Sequence, residues 1–268
     1  MGDILVVYSL MDSTSVALAG ILRNMLEFKE AGEVNGLKQF VYENVTLLEI
    51  KTLHTNAYYL NDYKTDLIMF LSKHSSAKGI PAFTTHATGN WSDKAELGGK
   101  PHELSYAAPL EMLQLLKSMK ELSTTASGPG VTYEATHHGP LLTIPSLFVE
   151  LGGNKEVTGI KRYQEVVSKS VSRLISGDAD TYFSKIVVGI GSNHYPGKFS
   201  SIAFGRGYAF AHIMPRYYTS EYAMLEQAFT RSKQRPELAV IDWKSIRAGD
   251  RDKIINKLNE IGIDYEKV

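Results

Sequence analysis

Short apolar runs punctuate the chain at residues 4–8, 45–50, 67–71, 146–151, 186–190, 208–214 and 238–242. Each is uninterrupted and several are rich in β-branched residues. That pattern predicts strands covered on both faces, since half-exposed strands alternate apolar and polar positions. Between the runs the apolar spacing turns to three and four. Residues 13–28 carry Val16, Leu18, Ile21, Leu22 and Met25 behind Asp12 or Ser13, either of which suits a helix N-cap. In residues 109–122, Leu110, Leu113, Leu116 and Met119 recur every third place behind Pro109, whose fixed φ suits a first helical turn. A third stripe of Ile160, Tyr163, Val167, Val171 and Leu174 predicts a helix over 154–176 that stops at Gly177. Residues 220–231 and 250–261 add two more, the second opened by Asp250 and closed by Gly262. Strands alternating with helices predict an α/β protein with a largely parallel or mixed sheet. In such sheets ligands bind beyond the carboxyl ends of strands.

The 268 residues can bury a full core, as one large domain or two packed lobes, and no repeat, low-complexity tract or long linker divides them. No run approaches the roughly 20 apolar residues that cross a bilayer. Met1-Gly2-Asp3 lacks the basic flank and apolar stretch of a signal peptide. The expectation is a cytoplasmic protein without a membrane partner.

There is no cysteine, which excludes disulfides, thiolate nucleophiles and cysteine-held metals; a bound metal must rely on His, Asp, Glu, backbone or water. Basic and acidic residues balance at 29 each, so total charge gives no support to nucleic-acid binding and any such surface must be local. Lys94/Lys100, Lys161/Arg162/Lys169/Arg173 and Arg231/Lys233/Arg235 are the places where it could lie.

Five segments put polar or Gly-rich residues at the edge of an apolar run: 71–76, 84–91, 133–140, 189–196 and 205–212. Six of the eight histidines (His74, His86, His137, His138, His194 and His212) lie in or beside them, whereas His54 and His102 stand apart and are expected to be structural. Imidazoles converging at strand ends can bind Zn²⁺ or exchange protons near neutral pH. The chain has no His-Glu-x-x-His, no Gly-x-Ser-x-Gly elbow, no complete dinucleotide loop and no Walker-type lysine loop.

These segments resemble the D-aminoacyl-tRNA deacylases of the archaeal and plant type. The shared residues are Ser72–Ser76 (Ser-Lys-His-Ser-Ser), Thr84–Asn90 (Thr-x-His-x-x-Gly-Asn), and Gly98-Gly99 followed by Pro109. Glu134–Pro140 reproduces Glu-Ala-Thr-His-His-Gly-Pro whole; Pro145–Gly152, Gly189–Tyr195 and His212-Ile213 follow in order. The likeness runs from about residue 67 to 244, with the first sixty residues matching only in pattern. Two places depart from it: Ser192-Asn193 stands where the family has small glycines, and Ala211 where it has Gly.

The resemblance implies a three-layer α/β/α sandwich similar to peptidyl-tRNA hydrolase and nucleoside phosphorylases, spanning 1–268 as a single deacylase domain. It implies a monomeric, zinc-dependent ester hydrolase that releases D-amino acids of many kinds from D-aminoacyl-tRNA, with no obligate protein partner. On that footing His74, His137 and His194 are the expected zinc ligands, with His138 and Glu134 as catalytic groups. Asn90, Trp91 and Tyr195 are expected to hold the terminal adenosine. Glu150 is a further carboxylate that could orient an imidazole. Because 137 and 138 are adjacent, both rings reach one site only if Gly139-Pro140 breaks the strand. Gly139, Gly189 and Gly191 are places where backbone could approach substrate closely. The rival readings are a nucleoside phosphorylase or metallopeptidase of related fold, and a non-catalytic tRNA-binding module.

Overall fold

The computed structural model describes residues 2–74, 79–123 and 128–268; Ser75 and Ser76 of the Ser-Lys-His-Ser-Ser motif lie outside them. The chain runs β1 (Ile4–Ser9), α1 (Ser13–Met25), β2 (Lys29–Val34), β3 (Leu37–Tyr42), β4 (Val45–Ile50), β5 (Leu67–His74), β6 (Ala82–His86), β7 (Gly89–Asn90) and β8 (Glu103–Leu104). It continues with α2 (Pro109–Leu122), β9 (Gly130–Tyr133), β10 (Ser146–Gly152), α3 (Lys155–Thr158), α4 (Lys161–Ile175), β11 (Lys185–Ile190) and α5 (Gly197–Arg206). The last elements are β12 (Tyr208–Met214), α6 (Leu225–Thr230), β13 (Leu238–Ile241), α7 (Ala248–Glu260) and β14 (Asp264–Lys267).

Eight strands form a mixed sheet in the order β2-β3-β4-β1-β5-β10-β6-β9, and a second, all-parallel sheet runs β12-β11-β13-β14. This is the expected α/β architecture with a mixed, largely parallel sheet. Helix α4 packs against both α1 and α2, all three lie on the large sheet, and α2 also meets β12 of the second sheet. One continuous apolar cluster joins β1, β5 and β10 to Val187, Phe210 and Val240 of the second sheet. None of the helices is long and apolar enough to cross a membrane, among the described residues.

The seven apolar runs are all strands, each buried through most or all of its length. The strongest helix signals hold as well. Asp12 caps α1 by accepting from the Thr14 amide at 2.9 Å, and Pro109 occupies the first turn of α2. The stripe predicted over 154–176 is broken at Gly159-Ile160 into α3 and α4. Residues 216–224 form a 3-10 stretch before α6, and Arg247, not Asp250, occupies the N-cap of α7.

The large sheet positions the site through a simple alternation. Leu67, Met69 and Leu71 of β5 and Leu147, Val149 and Leu151 of β10 face the helices. The opposite face carries Ile68 and Phe70 on β5 and Phe148 on β10, packed with Leu60 and Leu142 from connecting segments. Phe70 and Phe148 stack at 4.5 Å, an arrangement worth about 0.5–1.5 kcal/mol beyond its buried area. Two residues further along each strand, this same face turns polar, with Ser72 then His74 on β5 and Glu150 on β10.

Candidate active site

His74 is the last residue of β5 and His86 the last of β6, and Glu150 pairs in register with Ser72 and Thr84 between them. The segment 134–138 completes the cluster by bridging the two sheets. Glu134 donates its amide to Thr85 O of β6 at 3.1 Å, whereas Ala135 donates to His194 O (2.8 Å) beyond β11 and Thr136 to Ile213 O (3.0 Å) of β12. His194 arrives on the loop after β11. The four segments thus deliver imidazoles and carboxylates to one place although they are far apart in sequence.

Glu134 is 1% exposed at the centre. Its Oε2 lies 3.0 Å from His74 Nδ1, 3.1 Å from His194 Nε2 and 3.7 Å from His137 Nε2. Glu150 Oε2 is 3.3 Å from His74 Nδ1 and 3.8 Å from His86 Nε2. Despite these approaches, both Glu134 oxygens and Glu150 Oε2 are buried without an aligned hydrogen-bond donor among the described residues. Charged carboxylates are not buried at such cost unless a partner satisfies them. The donor set fits a shared cation: one atom each of His74, Glu134, His137 and His194 lies within 4.8 Å of the others, a three-imidazole, one-carboxylate set suited to zinc.

Tautomers support the same arrangement. The Nδ1 atoms of His86, His137 and His138 lie 3.1, 2.8 and 2.5 Å from the carbonyls of Ala87, Ala135 and Gly139. A carbonyl only accepts, so each Nδ1 carries the hydrogen and each Nε2 keeps a lone pair free to face the site. A second overlapping set, His86, His137 and His138, shares His137 with the first.

Electrostatics divide the rings. Burial opposes charge on His74, but its close approach to Glu134 and then Glu150 outweighs it and lifts the ring to about 10. Burial would raise Glu134, yet His194 and His74 hold it well below the usual carboxylate range. Burial, then His138 and His86, pushes His137 well below its ordinary value. Burial and the neighbouring His86 push His138 down to about 4, so it is neutral at pH 7.

His137 and His138 do converge, with ring centroids 4.3 Å apart. β9 has already ended at Tyr133, and His138 adopts φ +43° just before the cis Gly139-Pro140 bond. Tyr195 joins the cluster with its ring 5.1 Å from His194 and 5.5 Å from His74. The Ser192-Asn193 departure is accommodated: Ser192 takes φ +72°, where glycine is the unstrained choice, and its amide is held by Ser245 Oγ at 2.7 Å. His194 still reaches Glu134.

Several expectations are corrected. Trp91 is 1% exposed among Leu104, Ile190 and Met214, and its indole N–H donates to Thr136 O at 2.9 Å, so no base can stack on it. The Asn90 amide donates to Gly98 O and Lys100 O, fastening that loop instead of facing substrate. A Cβ on Gly139 would strike Gly99 N at 2.3 Å and Thr55 O at 2.8 Å; on Gly189 it would meet Phe199 and Phe210, and on Gly191 Ser245. The chain itself, not substrate, requires these three glycines. His54, expected to stand apart, lines the same cleft of about 590 Å³ as His74, His137, His138, Glu150 and His194. Its Nε2 is 3.3 Å from buried Ser15 Oγ. His86, left unassigned by sequence, sits 4.3 Å from His137; its signal was a histidine ending a strand whose Thr-rich run hides full burial.

His212 leaves the site altogether. It is fully buried, with Nε2–H donating to Arg231 O at 2.9 Å and Nδ1 3.2 Å from the Thr136 hydroxyl, so neither nitrogen is available to a ligand. Burial outweighs the pull of the Arg231 carbonyl and pushes its pKa down to about 4. A histidine neutral in the fold and protonated when unfolded stabilises fully above its unfolded pKa of about 6.5 and progressively less as pH falls toward 4. His212→Ala is expected to cost about 3 kcal/mol at pH 7 through the lost ring and its stranded partners. The same variant should flatten the acid limb of stability between pH 6.5 and 4. Urea unfolding across that range checks both; wild-type midpoints throughout would contradict this role.

An α/β sheet bearing buried carboxylates and convergent imidazoles, open to a cleft beyond its strand ends, defines an enzyme centre of the metal-competent, acid–base class. Within that class the chain belongs to the D-aminoacyl-tRNA deacylase family, whose model matches residues 61–266. It is 35% identical over 240 residues to the D-aminoacyl-tRNA deacylase of Pyrococcus furiosus, covering 85% of this chain and 86% of that protein. It is 28% identical to the D-aminoacyl-tRNA deacylase of Caldivirga maquilingensis over 97% of both chains, so the likeness includes the first sixty residues. Among solved structures it is similar to a conserved protein of unknown function, with TM-score 0.90, 26% identity, and 99% of this chain and 95% of the other covered.

Proposed function

We propose that the chain hydrolyses the ester joining a D-aminoacyl group to the terminal ribose of tRNA, releasing free D-amino acid and tRNA. The observation that carries this reading is the buried Glu134 ringed by His74, His137 and His194 at the head of an open cleft, in a chain of this family. Family membership favours it over a phosphorylase, a metallopeptidase or a tRNA-binding module.

Zinc held by His74, His137, His194 and Glu134 would supply a Lewis acid to polarise the ester carbonyl and acidify water. The chain's own groups do the rest. Glu134 and Glu150 fix the imidazoles and favour the charged form of His74. His138, neutral at pH 7 with Nδ1–H tied to Gly139 O, offers Nε2 to take a proton from water and return it to the ribose oxygen. Tyr195 closes the far side of the rings. The reading includes a single domain, supported by the apolar cluster common to both sheets, acting as a monomer in the cytoplasm where charged tRNA is found.

Selectivity for the D form follows from how the cleft is walled. With the carbonyl at the histidines and the amino group on a polar wall, the α-hydrogen and side chain exchange places between enantiomers. Aiming the D side chain at the open rim, where Met11, Leu53 and Leu97 are exposed, and the L side chain at Phe148 and His54 rejects L esters by collision. D-tyrosyl- and D-aspartyl-tRNA should both be cleaved well and L-tyrosyl-tRNA poorly. Equal rates on D- and L-tyrosyl-tRNA would overturn the assignment.

A further inference from the structure

A second cavity of about 550 Å³ adjoins the histidine cleft, within the range of ligand pockets. The two share Thr55, and the loop that carries Leu97 into the first continues as Gly98 and Gly99 into the second. That saddle is rigid. A Cβ at Gly98 would meet Thr55 O at 2.1 Å, and Asn90 donates to Gly98 O at 2.9 Å. The floor is tied down by Asn61, whose amide donates to Tyr58 O (3.0 Å) and Leu141 O (3.1 Å) and whose oxygen accepts from the Thr143 amide (2.8 Å).

Two side chains on this frame make no hydrogen bond or ion pair among the described residues. Tyr58 is 70% exposed, and its ring meets that of Tyr59 edge-on at 6.3 Å. Lys100 makes no ion pair among the described residues. Of the basic groups singled out in the sequence, Arg231 is paired to Glu103, Lys233 to Glu111 at 2.6 Å and Arg173 to Glu121 at 3.0 Å. Lys94, Lys169 and Arg235 also make no ion pair among the described residues but line neither cavity, so of these groups Lys100 is the available cation beside the cleft. A second aromatic, basic hollow at Lys51, Tyr59, Tyr63 and Lys64 shares no lining residue with the histidine cleft.

We propose that the Tyr58–Lys100 cavity receives the 3′-terminal nucleoside of the tRNA, with the base stacked on Tyr58 and the adjoining phosphodiester at Lys100. The inference rests on the deacylase reading. The scissile ester sits on the ribose of that nucleoside, so its base must lie one sugar away from the histidines. An exposed aromatic face plus a free cation is the chemistry that holds single-stranded nucleic acid without reading sequence.

The test uses the full chain and two readouts: calorimetric binding of the trinucleotide cytidylyl-cytidylyl-adenosine, and steady-state hydrolysis of D-tyrosyl-tRNA. Tyr58→Ala should weaken trinucleotide binding and raise KM on the order of tenfold while leaving kcat near wild type. Tyr58→Phe should retain both, because the π-face remains. Lys100→Ala should lower the salt dependence of binding by about one phosphate contact. Tyr182→Ala is the control; it is 64% exposed and precedes β11, at the opposite end of that strand from His194. Wild-type affinity and KM in Tyr58→Ala, or no trinucleotide binding to the wild type at millimolar concentration, would overturn the subsite. Trinucleotide binding that depends on Tyr58, without cleavage of any D-aminoacyl ester, would instead leave the subsite standing and remove the deacylase reading.

Discussion

Replacing His137 with alanine is expected to lower ester hydrolysis by at least about 10²-fold while the protein stays folded. His137 is common to two overlapping groups, one with His74, Glu134 and His194 and the other with His86 and His138, so its loss impairs both at once. Its ring lies 4.6 Å from His194, 4.3 Å from His86 and 4.3 Å from His138, which makes it the hinge of the cluster. Removing a positioned acid–base group usually costs 10²–10⁴-fold, and loss of a metal-site partner adds to that. In metal-free protein stability should change little, because the ring is partly exposed to the cleft and its departure relieves crowding among imidazoles; in metal-loaded protein the stability that the cation contributes falls with the loss of its ligand. Initial rates on D-tyrosyl-tRNA, set beside a thermal melt, decide the matter. A folded variant with wild-type turnover would place the chemistry elsewhere.

Stripping metal should both silence the enzyme and soften the fold. Glu134 and Glu150 are buried with oxygens that no aligned donor satisfies, so a cation that binds the folded form alone adds its full binding free energy to stability. At a thousandfold excess over Kd that amounts to about 4 kcal/mol, or roughly 10 °C in Tm for a chain of this size. Dialysis against a chelator should lower Tm by that order and abolish cleavage, and zinc add-back should restore both. Full activity in protein shown by elemental analysis to be metal-free would remove zinc from the mechanism and leave the deacylase assignment in place.

What the sequence disclosed and what it hid follow from the same physics. Long apolar runs such as those of β1, β5 and β10 announced themselves because both faces are covered. β2, Lys-Glu-Ala-Gly-Glu-Val, is exposed at every position and has no apolar period to read. β6 is buried throughout, yet two threonines and a histidine among its five residues mask it. The histidine motifs gave the ring of His74, His137 and His194 but could not separate His212 from it, since identity says nothing about which nitrogens are already bonded. Trp91 misled for a related reason: an indole beside a motif reads as a stacking surface until its N–H is seen donating to Thr136 O. His54 was overlooked because its nearness to the cleft comes from the fold, through β4 pairing with β1, which in turn pairs with β5, and not from any local pattern.

The strand of backbone from Glu134 to His138 hydrogen-bonds to β6 on one side and to the His194 loop and β12 on the other. Side chains drawn from both halves of the fold therefore meet at one centre, which works as a clasp between them. Fluctuations that part the sheets must dissolve the centre, and whatever fills the centre must slow those fluctuations. Reactivity and cohesion thereby depend on the same stretch of backbone.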